Sequence, residues 1–147
     1  MFFPDNGTLI SVEPRRRRSI FHMTQAAFPD AWTEALAVQH AAANVGFDWP
    51  EISGVLEKIA EELDEIRGAV SRNTPEEARR ELGDLLFAAV NLARFLHADP
   101  AAELRRATSR FSQRFSLLKQ ELARQGRAIN DCNLEELDVV WEKVKNS

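Results

Sequence analysis

At 147 residues, 44% of them hydrophobic, the chain can bury one core and has little room for a second, so one domain is expected. A formal net charge of -4 argues against a surface that binds polyanions generally. The lone Cys132 has no internal disulfide partner, and His22, His40 and His97 lack zinc-ligand spacing; no apolar run approaches a membrane span, the longest being about Leu85 to Val90.

Residues 1–28 hold Pro4, Gly7, Pro14 and the run Arg15-Arg16-Arg17-Arg18 without sustained periodicity, and read as an N-terminal arm. The start lacks a charged segment followed by an apolar one, which with the unpaired cysteine points to the cytoplasm. The domain is expected over 29–147. Its first helix starts with Asp30 at the cap and runs to about Val45, ahead of Gly46 and a turn at Phe47-Asp48-Trp49-Pro50.

The second helix has the clearest pattern. Ile52, Leu56, Ile59, Leu63, Ile66 and Val70 alternate steps of four and three, predicting a packed stripe with Glu61, Glu62 and Glu65 away from its centre. Asn73-Thr74-Pro75 breaks it, and Thr74, Pro75 and Glu77 predict a capped restart. The third helix, to about Leu96, is apolar on nearly every side after Leu85, which predicts a central helix surrounded by others. Asp84, Ala88 and Asn91 share one line on it, so a buried carboxylate in need of a counter-charge is expected at Asp84.

Two acidic clusters therefore flank one turn: Glu61-Glu62-Leu63-Asp64-Glu65 reads E-E-x-x-E, and Glu81-Leu82-Gly83-Asp84 reads E-x-x-D. Antiparallel helices would bring both to one level. Carboxylates so gathered repel unless a cation lies between them, and a hard divalent ion with oxygen ligands answers that need.

Asp99-Pro100 opens a fourth helix to about Gln125, with an apolar stripe at Leu104, Thr108, Phe111, Phe115, Leu118 and Leu122 and a basic one at Arg106, Arg110 and Arg114. Guanidinium groups near an acidic metal site suit a metal-bound phosphate. Asn133 caps a last helix from Leu134 to about Lys145, where Trp141 and Lys145 offer either a stacking and phosphate contact or ordinary packing. His97 lies at the end of the apolar helix, where it offsets the helix dipole. No glycine-rich phosphate loop, nucleophile elbow or Cys/His pair occurs, so covalent catalysis has no candidate.

These residues, read with Val45-Gly46-Phe47-Asp48-Trp49, Lys58, the run Glu81 to Ala88, the run Val90 to Arg94, Arg110-Phe111, Arg114-Phe115, Trp141 and Lys145, resemble the MazG-type nucleoside triphosphate pyrophosphohydrolases over roughly residues 32–146. The likeness is to the C-terminal, active half of the two-domain members. It implies an all-α bundle of about five helices, with a metal site between antiparallel helices completed by dimerisation. The implied activity is Mg²⁺- or Mn²⁺-dependent hydrolysis of a nucleoside triphosphate to monophosphate and pyrophosphate. By position, Glu62, Glu65, Glu81 and Asp84 would be the metal ligands, and Glu61 would orient or deprotonate water. Lys58, Arg110, Arg114, Trp141 and Lys145 would meet the nucleotide.

Thr108 and Arg110 stand where the family often has Asn and Lys, and Arg80 where an acid is common. A relative acting on dUTP or phosphoribosyl-ATP would share the acidic helices. A non-catalytic helical module that uses the arginine arm is the alternative outside enzymology, and the intact acid set argues against it.

Overall fold

A computed structural model describes residues 30–146, and among these it is all-α: α1 (Ala31–Asn44), α2 (Ile52–Ser71), α3 (Pro75–Phe95), α4 (Pro100–Arg124) and α5 (Leu134–Lys145), with one 3₁₀ turn at Ile129–Asp131. The expected arm of residues 1–28, including Arg15 to Arg18 and His22, lies outside them. No helix among the described residues is long and apolar enough to cross a membrane. The chain divides into two units, within which the described residues are 30–108 and 109–146.

In residues 30–108 the helix ends follow from local chemistry. Asp30 accepts from the Thr33 amide at 2.9 Å and caps α1, and Asp99 accepts from the amides of Ala101 and Ala102 at 2.9 and 3.2 Å at the start of α4. Thr74 precedes Pro75 as expected, but its side chain does not cap α3: the hydroxyl lies 3.0 Å from the Ala69 carbonyl and 2.7 Å from the Glu77 carboxylate. The hydroxyl thus ties the turn back to α2.

With only Arg72, Asn73 and Thr74 between them, α2 and α3 fold back on one another as a hairpin, and α1 packs on α3. The predicted stripe is covered only in part, with Ile52, Ile59 and Ile66 half-buried. On α2 the buried line is Val55, Glu62 and Ala69, each seven residues apart, whereas Leu56, Leu63 and Val70 are 50%, 39% and 47% exposed. On α3 it is Glu81 and Ala88, joined by Val90. Alanines at Ala69 and Ala88 allow close approach of the two backbones, which brings the adjoining carboxylates into the seam. Leu82, Leu86 and Phe87 stay nearly half exposed, so α3 is not surrounded on every side among the described residues.

Residues 109–146 pack by themselves around Leu118, Leu122 and Val140, with Ile129, Leu137, Trp141 and Val144 against that core. Phe111 and Phe115 of the predicted α4 stripe remain about half and two-fifths exposed. Asn133 and Glu136 form a reciprocal capping box on α5. Glu121 on α4 bonds Lys143 on α5 at 2.7 Å, pinning the two helices together.

Candidate metal centre and nucleotide cavity

The hairpin brings three of the four predicted metal ligands together directly: one carboxylate oxygen from each of Glu62, Glu81 and Asp84 lies within 4.8 Å of the others. Their burial reverses the sequence reading. Asp84 is exposed, while Glu62 and Glu81 are only 2% and 6% exposed, because the seam runs along the Glu62 and Glu81 line and Asp84 sits at its rim. The fourth, Glu65, is exposed and has its carboxyl against that of Glu81. That contact, before any other cause, raises Glu65 above the ordinary carboxylate range, since two carboxylates so placed favour sharing a proton.

Two cations stand against the cluster. Lys58 is one turn before Glu62 and reaches it at 2.7 Å and Glu61 at 3.1 Å, and these bonds, Glu62 first, raise the ammonium above its ordinary range. Arg80, where an acid is common in the resembled family, bonds Glu81 at 2.5 Å from a largely exposed position. Neither meets the second Glu62 oxygen, Oε2, which is buried without a hydrogen-bond partner. An oxygen-only donor set with one buried orphan oxygen fits a hard divalent cation.

The acids partition two clefts. Lys58, Glu62, Glu65 and Asp84 line one of about 380 Å³, together with Trp49 and Asn91, and Glu61, Glu65 and Glu81 line another of about 550 Å³ with Arg72 and Arg80. The predicted line Asp84, Ala88, Asn91 faces the first of these. Glu61 is 56% exposed, with its carboxylate paired to Lys58.

The remaining predicted nucleotide contacts, Arg110, Arg114, Trp141 and Lys145, belong to the other unit. Arg110 is exposed, Arg114 partly so, and Lys145 bonds Glu142 at 3.1 Å. Trp141 is half-buried, 5.1 Å from the Phe111 ring centre, and packs on the Leu118, Leu122 and Val140 core. Four residues with no assigned part also emerge. Gln39 is buried with its amide on the Phe87 carbonyl; Asp48 and Arg94 bond at 2.5 and 2.9 Å; and Trp49 lies on Gly54 so closely that a β-carbon there would sit 2.5 Å from the ring. Periodicity gave no sign of these, because each contact joins different elements.

Residues 51–117 match the MazG nucleotide pyrophosphohydrolase domain. The nucleoside triphosphate pyrophosphohydrolase/pyrophosphatase MazG of Thermotoga maritima is 44% identical over 115 residues, which is 78% of this chain and 44% of that protein. The nucleoside triphosphate pyrophosphohydrolase of Escherichia coli K12 is 37% identical over 117 residues, with the same shares, 78% and 44%. An uncharacterized protein of Bacillus subtilis, YabN, is 36% identical over 69 residues, 47% of this chain and 14% of that one. The chain thus spans less than half the length of the pyrophosphohydrolases it resembles.

Proposed function

Because the chain carries a MazG nucleotide pyrophosphohydrolase domain, we propose that it hydrolyses a nucleoside triphosphate to the monophosphate and pyrophosphate with a divalent cation, Mg²⁺ first and Mn²⁺ second. The observation that carries this reading is the convergence of Glu62, Glu81 and Asp84 oxygens within 4.8 Å, beside a buried Glu62 oxygen that lacks a partner.

Glu62, Glu65, Glu81 and Asp84 are the residues that would hold the cation, which supplies Lewis acidity toward phosphate oxygens and acidifies the attacking water. Every other role falls to the chain itself. Glu61 orients that water or takes its proton, and Lys58, which already spans Glu61 and Glu62, holds the glutamate in place while offering charge to phosphate. Arg110, Arg114 and Lys145 take up the charge of the departing pyrophosphate. Trp141 meets the nucleotide from a position where it also braces Phe111. No covalent enzyme intermediate is required.

A homodimer belongs to this reading. Leu56, Leu63 and Val70 on α2, with Leu82 and Leu86 on α3, leave apolar side chains of the hairpin exposed among the described residues, and a second copy would bury them.

The deciding experiment is release of pyrophosphate from a panel of nucleoside triphosphates, including dUTP and with phosphoribosyl-ATP alongside, with and without Mg²⁺. Metal-dependent pyrophosphate release supports the proposal. Its absence from every substrate would leave a helical interaction module.

A further inference from the structure

Glu65 lines both acidic clefts, but the charges around it are arranged differently in the two. In the cleft of about 380 Å³, Glu62 is paired with Lys58, while Glu65 and Asp84 make no ion pair among the described residues. In the cleft of about 550 Å³, every carboxylate except Glu65 already has a basic partner: Lys58 on Glu61 at 3.1 Å, Arg67 on Asp64 at 2.6 Å, Arg72 on Glu77 at 2.8 Å and Arg80 on Glu81 at 2.5 Å. A divalent ion gains most where carboxylates lack a counter-charge, so the smaller cleft is the one that calls for it.

The four pairs of the larger cleft are not equivalent. Glu61, Asp64 and Glu77 are partly or largely open to water, which screens their pairs and makes the bases easy to displace. The Glu81 side chain is only 8% exposed, and Arg80 reaches it from a largely exposed position, so this pair is the least screened of the four. Glu81 Oε1 is thereby committed to Arg80, which leaves Oε2 as the oxygen to share with an ion held by Glu62 and Asp84.

Building on the reading of these acids as a metal centre, we infer that Arg80 is a built-in counter-ion that fills the larger cleft in place of a second divalent cation, so that each chain holds one such ion, in the cleft of Lys58, Glu62, Glu65 and Asp84. Without the guanidinium, Glu65 and Glu81 face the larger cleft as adjoining carboxylates with no cation of their own, the arrangement that recruits one.

The test counts Mn²⁺ bound per chain by electron paramagnetic resonance of the free ion, a measurement that needs neither substrate nor turnover. The wild-type protein is expected to bind one ion at micromolar Mn²⁺ and Arg80→Met two. Arg80→Lys, which keeps the charge, and Arg72→Met, which alters the same cleft at the base paired with Glu77, should both stay at one. Two ions on the wild type, or one on Arg80→Met, overturns the inference and leaves the metal-centre reading standing. Two ions on Arg80→Lys or on Arg72→Met also overturns it, since the count then does not follow the charge at Arg80. A wild-type protein that binds no Mn²⁺ overturns the metal-centre reading itself and the inference with it. Far-UV circular dichroism checks the variants; if Arg80→Met does not fold, Arg80→Gln takes its place with the same expected count of two, and a count of one there overturns the assignment.

Discussion

The carboxyl groups of Glu65 on α2 and Glu81 on α3 lie against one another across the hairpin, and the contact holds Glu65 protonated to higher pH than an isolated glutamate. At neutral pH, without a cation, this is a site of stored repulsion. Glu65→Gln is therefore expected to raise the melting temperature of the metal-free protein while abolishing both hydrolysis and the stabilisation conferred by added Mg²⁺. Melts with EDTA and with Mg²⁺ check this, and a variant that is less stable in EDTA yet still gains from Mg²⁺ would remove Glu65 from the ligand set.

Lys58 neutralises a glutamate that is almost wholly buried. Lys58→Met should destabilise the metal-free protein by about 1–2 kcal/mol, less than the 3–5 kcal/mol of a fully buried pair because the ammonium is half-exposed. Added Mg²⁺ should return much of that loss by taking over the Glu62 charge. Equilibrium urea unfolding in the two conditions measures the difference.

Arg110 and Trp141 separate binding from packing. Arg110→Ala and Arg114→Ala are expected to leave the melting temperature unchanged and to lower kcat/KM by about 10 to 100-fold, the scale of a charge-assisted hydrogen bond. Trp141→Ala removes a ring packed on Phe111 and on the Leu118 cluster, and should cost about 2–3 kcal/mol of stability, below the value for a fully buried tryptophan. Wild-type kinetics in both arginine variants would identify that helix face as simple solvated surface.

Acid sensitivity of residues 109–146 should run through Glu121. Its bond to Lys143, followed by that to Gln125, holds the carboxyl below the usual glutamate range. A group lowered on folding contributes stability above its unfolded value near 4.5, and that contribution disappears as pH falls through the lowered folded value. Glu121→Gln should be less stable than wild type at neutral pH and should converge with it in acid. Parallel curves of stability against pH would show that this bond does not anchor α5.

Dimerisation through the exposed hairpin leucines predicts a dimer in solution scattering at micromolar concentration. Leu63→Glu, at a position 39% exposed in the single chain, should yield a monomer without loss of helix content. A wild-type monomer would show that the apolar face is covered in some other way.

Helix positions, the turn at Asn73 and Thr74 and the caps at Asp30 and Asn133 could be read along the chain, because each depends on residues close in sequence, and the pairing of the two acidic clusters followed from the short turn that folds one helix back on the other. Which side of α2 is buried could not. Leu56 and Leu63 are more hydrophobic than Glu62, yet Ala69 and Ala88 let the backbones approach along the line that contains Glu62 and Glu81, and α2 meets α3 there. Periodicity ranks the faces of one helix; the shape of its neighbour chooses among them. The same applies to Asp84, which falls at the rim and not in the seam, and to Gln39, whose Phe87 partner lies on another helix. Residue order alone was enough to specify an all-α chain with carboxylates sufficient for a cation. Only the tertiary packing decided which oxygens converge, which one is left without a partner, and which amide faces the problem of an unpaired acceptor, because those outcomes depend on the distance between helices.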